Sequence, residues 1–429
     1  MRRFRICVAT SYTATAEPRA ARYAAELARL DPARCDVLFI DCVPRGQVHE
    51  FPEELAGLPN VRHRTVHYAW RGDGRLRLVW EKLRQYLARL AFRLGAAPAA
   101  AGLSTRSLGL GKILAEEKAD LYFGFNIDTL LPVYRAARAS SAPFLFDCQE
   151  IYAEMSHGQS KIERDMIRAA ESLCLPSCSL VLAVSAQAAN YIERTCGIDG
   201  VLPLLNTPPI EDLPECEPAG DFTLYWRNGT IDLGPRGLQD ALNAMPLLPE
   251  GITLYLQGRK PAKGGERMEQ LIRDLGIGRR VVFVPPYRPS EAVQVAARYT
   301  VGLALENPTS VNSALTTSNK FFDYAMAGLA VVSSRTEGLE QVIDAAGLGL
   351  MYQAGDAADL ARQILRLYED RTLLARMRAA ARAFALQEGN LEFQMRRFRD
   401  ALRQRVPALW EGVAAVAPAK TPMREEVGR

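Results

Sequence analysis

The sequence predicts an α/β protein with two doubly wound parallel-sheet domains that face each other across a cleft. Short apolar runs alternate with helical patterns along most of the 429 residues. This alternation is typical of strands buried in parallel sheets and joined by helices. A segment with five prolines, 202–220, separates the pattern into two halves. Because proline removes a backbone donor and interrupts helices, this segment is expected to join the two domains.

The apolar runs define eleven candidate strands, six in the first half and five in the second. Each is short enough for one pass through a sheet and is followed by turn residues or a helical pattern. The candidates in the first half are 4–9, 37–40, 61–65, 121–124, 144–146 and 180–184. Those in the second half are 222–226, 252–257, 281–284, 301–305 and 329–333.

These patterns predict five segments. A Rossmann-like first domain is expected over 1–205, a proline-rich linker over 206–220, and a second Rossmann-like domain over 221–385. The helical pattern continues to residue 410, and the helix over 386–410 is expected to pack back on the first domain. Residues 411–429 are rich in alanine, proline and charged residues, a composition that predicts a disordered tail.

The composition is that of a soluble globular protein, with 48% hydrophobic and 24% charged residues. A net charge of +4 is small for this length and gives no indication of nucleic-acid binding. Among the eight cysteines, Cys174 and Cys178 are spaced like a pair of zinc ligands, but no second pair stands nearby. We therefore expect structural thiols in a reducing compartment. No signal peptide or long apolar segment is evident, and we expect a cytoplasmic protein.

The most informative stretch is 318–332, SNKFFDYAMAGLAVV. Lys320 and Asp323 are three residues apart and share one face of the helix that begins here. Free N–H groups and the positive end of the helix dipole favour an anion at this place. A cation beside a hydrogen-bond acceptor suits a sugar nucleotide, with Lys320 on phosphate and Asp323 on the ribose hydroxyls. The same spacing also fits an ordinary helix start with a surface lysine.

This stretch resembles the donor-site signature of bacterial GT-B glycosyltransferases of the family-4 type. Further pieces occur in the order that this family shows, across roughly residues 3 to 385. The pieces are EPR at 17–19, FDCQE at 146–150, LYWRNG at 224–229, RGL at 236–238, YLQG at 255–258 and VFVPPY at 282–287. The resemblance implies the GT-B fold, a nucleotide-sugar co-substrate, and transfer with retention of the anomeric configuration and no covalent nucleophile.

The sequence departs from the family pattern in several places. Leu315 stands where the first of two acids is usual, and that acid contacts the donor sugar in the family. Gln149 stands where a histidine is common. The first β–α loop, at 10–14, has no glycine pair.

Carried over position by position, the resemblance implies a donor site that needs no metal. Arginine and lysine can stabilise the leaving diphosphate, and the sequence has no Asp-x-Asp triplet for a metal. Tyr287 is expected near the base. The expected donor-binding residues are Arg227, Arg236, Tyr287, Ser318, Asn319, Lys320 and Asp323.

Acidic residues after the fifth strand are the candidates for catalysis. Glu150 could orient or deprotonate an acceptor hydroxyl, and Asp147 could either act with it or cap a helix. Gln149 and His157 are expected on the acceptor side. No other cofactor is expected.

A basic amphipathic helix is predicted over residues 75–94, with leucines spaced alternately four and three apart. Such a helix could lie on an anionic lipid surface as part of a peripheral membrane protein, bringing the first domain to a lipid-linked acceptor. It could equally pack in the core or against a partner protein. The residues expected to face the membrane are Arg77, Trp80, Lys82, Arg84 and Arg89.

The sequence therefore predicts a hexosyltransferase of bacterial surface-polysaccharide or glycolipid assembly. Two alternatives stay open at this point. A non-hydrolysing sugar-nucleotide epimerase shares the two-domain cleft. A non-catalytic GT-B partner subunit would explain Leu315 and the glycine-poor first loop.

Overall fold

The computed structural model describes residues 3–13, 15–47, 51–68, 75–155, 158–213, 219–234, 236–261 and 265–410. They form two parallel sheets of seven and six strands with helices on both faces, which confirms the predicted fold class. All eleven predicted strands are present. The predicted tail, 411–429, lies outside the described residues, as does part of the predicted linker, 214–218.

The first sheet has the strand order β3-β2-β1-β4-β5-β6-β7. Its strands are β1 (Phe4–Thr10), β2 (Cys35–Pro44), β3 (Val61–Tyr68), β4 (Leu121–Phe125), β5 (Phe144–Cys148), β6 (Leu180–Ala183) and β7 (Leu202–Pro203). Its helices are α1 (Pro18–Leu30), α2 (Arg75–Arg93), α3 (Ala100–Leu103), α4 (Arg106–Glu116), α5 (Ile127–Ser140), α6 (Lys161–Cys174) and α7 (Ala186–Cys196).

The second sheet has the order β10-β9-β8-β11-β12-β13. Its strands are β8 (Thr223–Thr230), β9 (Thr253–Arg259), β10 (Val281–Val284), β11 (Val301–Ala304), β12 (Ala330–Ser334) and β13 (Gly349–Tyr352). Its helices are α8 (Leu238–Ala244), α9 (Gly265–Asp274), α10 (Ala292–Ala296), α11 (Val311–Leu315), α12 (Asn319–Met326), α13 (Glu337–Ala346), α14 (Ala357–Glu369) and α15 (Arg371–Gln387).

The edge strands β7 and β13 are absent from the sequence prediction. Leu202 and Pro203 pair with the end of β6 and lie in the segment that the proline content marks as a linker. Proline at a sheet edge is tolerated because an edge strand does not need every backbone donor. A segment rich in proline can therefore begin as a strand before it leaves the sheet.

A last helix, α16 (Leu391–Arg405), returns from the second domain to the first. Phe398 and Leu402 are fully buried in the core cluster that also contains Tyr23 and Phe123. The ring of Phe398 meets that of Tyr23 edge-on with 4.8 Å between centroids. The chain thus crosses between the domains twice, once through 204–221 and once before α16.

The strand order of each sheet reverses next to its first strand. In the first sheet this place lies between β1 and β4, and in the second between β8 and β11. Loops diverge from the carboxyl ends of strands at such a place and leave a crevice in which ligands bind. Both crevices open into the cleft between the domains.

Candidate active site

Two cavities lie in the cleft and are lined by both domains. The first, of about 560 Å³, is bounded by Arg22 on α1 and by Tyr287 and Asp323. The second, of about 520 Å³, is bounded by Glu150 of the first domain and by Lys320. The residues that line both cavities are Asn206, Arg227 and Asn319. The predicted donor residues therefore meet where the two cavities join.

The start of α12 places Lys320 in the second cavity. Ser318 is the N-cap residue and Asn319 begins the helix. The Lys320 side chain is 10% exposed, and its Nζ lies 3.6 Å from a carboxylate oxygen of Glu306. Among the described residues this buried amine makes no hydrogen bond of normal geometry, and Glu306 compensates it only as an ion pair. Burial lowers the pKa of Lys320 to about 8, against the opposing effect of Glu306.

Asp323 lies one turn further along α12 and forms an ion pair with Arg227 at the end of β8. The Arg227 guanidinium is 5.9 Å from the centroid of the Tyr287 ring. Burial raises the pKa of Asp323, although Arg227 acts in the opposite direction. The structure thus brings three predicted donor residues into contact at the wall of the first cavity.

Glu306 is a site residue that the sequence reasoning missed. It follows β11 directly, and its carboxylate accepts a hydrogen bond from Arg236 Nη1 at 2.6 Å. With Lys320 on its other side, Glu306 holds two predicted phosphate-binding cations in place. Its position in the sequence could have identified it, because an acid at the carboxyl end of a buried strand, next to the place where the strand order reverses, faces the cleft.

The structure gives a physical reason for leucine at position 315. The Leu315 side chain, at the end of α11, is buried within the core cluster of the first domain. Its carbonyl oxygen accepts a hydrogen bond from Ser185 Oγ at 2.5 Å. A carboxylate here would be buried among apolar groups without a partner, which would cost roughly several kcal/mol of folding free energy. This position therefore serves contact between the domains.

A second contact between the domains involves Glu150. Its carboxylate accepts a hydrogen bond from Asn312 Nδ2 at 2.6 Å, and the backbone N–H of Ile151 donates to Asn312 Oδ1 at 2.7 Å. Burial raises the pKa of Glu150. Gln149 lines the same cavity, whereas His157 lies outside the described residues. The role of Asn312 was not evident from the sequence.

Asp147, a candidate for catalysis or helix capping, forms a buried ion pair in the structure. It is completely buried, and its two oxygens accept hydrogen bonds from Arg19 Nε at 2.6 Å and Nη2 at 3.3 Å. Arg19 Nη2 also donates to the carbonyl of Leu204. Asp147 is thus the buried partner of an arginine that fixes the start of the interdomain segment, and it lines neither cavity.

One face of α2 presents apolar side chains to solvent. Trp80 is 60% exposed and Leu87 is 52% exposed. Lys82 and Arg84 are also exposed. Arg89 instead turns toward the protein and donates to the carbonyl of Gly102 at 3.0 Å. The side chain of Arg77 lies outside the description, and no helix in the described ranges is long and apolar enough to span a bilayer.

Two doubly wound domains that face each other across a cleft form the fold of the GT-B glycosyltransferases. Residues 229–370, about a third of the chain, match the family model described as glycosyl transferases group 1. This region contains α12 and most of the second sheet. The match to the family model indicates a glycosyltransferase domain in this part of the chain.

Solved structures share the fold over nearly the whole chain. HepE of Anabaena is 15% identical, with 94% of this chain and 100% of that chain covered and a TM-score of 0.66. Sucrose-phosphate synthase from Thermosynechococcus elongatus is 16% identical, with 95% and 100% covered and a TM-score of 0.66. The lipopolysaccharide outer core galactosyltransferase WaaB is 14% identical, with 94% and 100% covered and a TM-score of 0.62.

The lowered pKa of Lys320 predicts a specific pH dependence of stability. Between about pH 8 and 10.5, the unfolded chain keeps a proton that folded Lys320 has lost. The free energy of unfolding should therefore rise with pH in this window, by at most about 1.4 kcal/mol per pH unit. Urea unfolding of the wild type and Lys320→Met, which cannot titrate, isolates this contribution. A stability difference that stays constant across the window contradicts the lowered pKa.

Proposed function

We propose that the protein transfers a hexose from a nucleoside diphosphate sugar to a saccharide or lipid-linked acceptor in bacterial surface-glycan assembly. The observation that carries this proposal is the buried amine of Lys320, which lacks a hydrogen-bond partner among the described residues. Burying a charge without full compensation costs free energy, so such a group is retained for a ligand. A diphosphate supplies the anionic oxygens that the amine lacks.

The two cavities suit the two ends of such a donor. The first, with Tyr287 and Asp323, offers an aromatic ring for a base and an acceptor for ribose hydroxyls. Arg227 lies where the cavities join, which suits the diphosphate. The second cavity is lined by hydroxyl and amide side chains suited to a hexose, including Ser310 and Thr316. HepE has been crystallised with UDP and with UDP-glucose, which favours a uridine donor.

We attribute the charge stabilisation to side chains and propose no metal. As the bond to the donor sugar breaks, negative charge develops on the departing diphosphate. Lys320, Arg227 and Arg236 would stabilise this charge more than that of the intact donor, which is the condition for catalysis. Glu306 keeps two of these cations oriented in the free protein. Glu150 is proposed to orient the acceptor hydroxyl.

We also propose that transfer retains the anomeric configuration without a covalent nucleophile. The two candidate acids of the first domain are both engaged in the structure. Asp147 is buried in an ion pair with Arg19, and Glu150 is hydrogen-bonded to Asn312. Donor hydrolysis without acceptor tests this: NMR spectra taken before mutarotation should show the α-anomer of the sugar released from a UDP-α-hexose. Initial release of the β-anomer contradicts retention.

Replacing Lys320 by methionine should separate donor binding from folding. The variant keeps the side-chain volume but loses the charge, and one charge-assisted contact is worth about 1.5 to 3 kcal/mol. We therefore expect UDP to bind roughly 10- to 100-fold more weakly in calorimetric titrations. The melting temperature near neutral pH should stay the same or rise, because the burial cost of the Lys320 charge outweighs its ion pair with Glu306.

The matched control is Lys260→Met in the same domain. Lys260 is half exposed, pairs with Glu269 at 3.3 Å and lines neither cavity. This variant should bind UDP as the wild type does. UDP binding that is equally tight in Lys320→Met and the wild type would remove the basis of the proposed donor site.

We further propose that α2 docks the protein on an anionic membrane surface. Exposed apolar side chains along one helix, next to exposed Lys82 and Arg84, give both contributions that peripheral binding requires. The described structure leaves these side chains uncovered, which argues against the core-packed alternative. The exposed apolar residues of α2 and the following turn are Val79, Trp80, Leu83, Tyr86, Leu87, Leu90 and Leu94.

Reversing two charges on α2 tests this orientation. Each basic residue near an anionic surface contributes about 1 kcal/mol, so Lys82→Glu with Arg84→Glu should weaken binding to phosphatidylglycerol-containing vesicles at least roughly tenfold. Cosedimentation at low and high salt measures the effect. Arg267→Glu with Arg273→Glu on α9 makes the same charge change on another face and should have little effect. Equal losses in both double variants would refute a role for α2.

A further inference from the structure

A hydrogen-bonded contact between the domains lies in the wall of the second cavity. Glu150 follows β5 in the first domain, and Asn312 is on α11 in the second. Both residues line this cavity, which we assign to the donor sugar. Asn312 therefore contacts the group that we propose to orient the acceptor hydroxyl, although it lies 162 residues further along the chain.

The partners of Asn312 fix the orientation of its side-chain amide. The backbone N–H of Ile151 can only donate, so the amide oxygen faces it, with 2.7 Å between Oδ1 and the Ile151 nitrogen. The amide nitrogen, Nδ2, then faces Glu150 and donates to its Oε2 at 2.6 Å. Because an amide N–H cannot accept a hydrogen bond, Glu150 has to present an accepting oxygen. Asn312 consequently favours the ionised carboxylate and fixes one of its two oxygens.

The short helix that carries Asn312 is tied to the first domain at its end. The Leu315 carbonyl accepts a hydrogen bond from Ser185 Oγ, and Thr317 Oγ1 donates to the Val184 carbonyl at 2.9 Å. Asn312 meets Glu150 only while these contacts between the domains are made. If the cleft opened, α11 would move with the second domain, and Glu150 would lose its donor.

Groups from both domains act on the charge of Glu150. Burial raises its pKa, the hydrogen bond from Asn312 and the charge of Arg236 oppose this rise, and the Glu306 carboxylate adds to it. Tyr152 is the titratable neighbour from the first domain. The other charged side chains that line the cavity are those of Arg227 and Lys320. The hydrogen bond from Asn312 thus favours the ionised form of Glu150 against the effect of its burial.

We propose that Asn312 is a positioning residue that holds Glu150 ionised and oriented, so that this carboxylate is set for catalysis only while the two domains are in contact. This inference rests on the proposed part of Glu150 in glycosyl transfer and adds its dependence on a residue of the other domain. Asn312 acts through Glu150, whose second oxygen is left for the substrate hydroxyl.

Replacing Asn312 by aspartate tests the proposal at nearly constant volume. The new side chain can still accept from Ile151, but its second oxygen meets the Glu150 carboxylate, and two adjacent acids hold a shared proton more strongly. The measurement is the pH profile of kcat for donor hydrolysis without acceptor, in which water takes the place of the acceptor hydroxyl. The substrate is UDP-glucose or UDP-galactose, whichever the wild type hydrolyses faster.

The rate should fall on the acidic side of this profile as Glu150 becomes protonated. Losing the hydrogen bond from Asn312 raises the pKa of Glu150, so the fall should begin at higher pH. We expect a displacement of about one pH unit or more in Asn312→Asp and a smaller one in the same direction in Asn312→Ala. Asn312→Ala keeps the test decisive if Asn312→Asp does not fold.

The matched control is Gln187→Glu, at another hydrogen bond between the domains. Gln187 on α7 donates to Gln341 Oε1 on α13 at 3.1 Å, and neither residue lines a cavity described above. This variant makes the same change from amide to carboxylate away from Glu150. Its pH profile should match that of the wild type.

Three results would overturn the role of Asn312. They are an acidic limb that is unchanged in both Asn312 variants, a loss of rate that is equal at every pH, and an equal displacement in Gln187→Glu. The UDP-dependent melting shift of the same four proteins reports the donor site separately and should be equal in all of them. A wild type without this shift and without hydrolysis would overturn the proposed function itself, and the role of Asn312 with it.

Discussion

The contact of α11 with the first domain is the constraint on which both cavities depend. Leu315 extends from the second domain into the first-domain core, and its backbone is tied to Ser185. Asn312, one turn earlier, joins Glu150 and Ile151. Apolar burial and buried hydrogen bonds reinforce each other here, because excluding water makes the polar contacts stronger. The two sheets are thereby held at a spacing that leaves room for a ligand between them.

Charged side chains in the cleft are compensated by other side chains rather than by solvent. Arg227 is set against Asp323, while Arg236 and Lys320 share Glu306. Because Glu306 serves two cations, Lys320 is left at ion-pair distance without a hydrogen bond, and burial lowers its pKa. Three cations thus share two carboxylates, so the empty site keeps an excess of positive charge. An incoming diphosphate would complete the balance, which is how a preorganised site limits its reorganisation.

The fold was predictable because its strands are buried on both faces and read as apolar runs between helices. Lys320 and Asp323 could be identified because both lie in one short helix start. Glu306 and Asn312 could not, because their roles depend on contacts across 70 and 162 residues of chain. The ion pair of Asp147 was also not evident, because its partner Arg19 is 128 residues away. Sequence spacing reports neighbours on one element, whereas these roles arise from packing between elements.

The two sides of the cleft differ in the kind of polar group that they leave unsatisfied. The second domain leaves an amine at Lys320, which calls for an anion. Two arginines of the first domain, Arg19 and Arg106, are paired internally, and the buried amide nitrogen of Gln149 is left without a hydrogen bond. A nucleotide sugar bound as we propose would therefore direct its diphosphate toward the amine at the start of α12. Its neutral sugar would then lie beside Gln149, which lines the same cavity as Lys320.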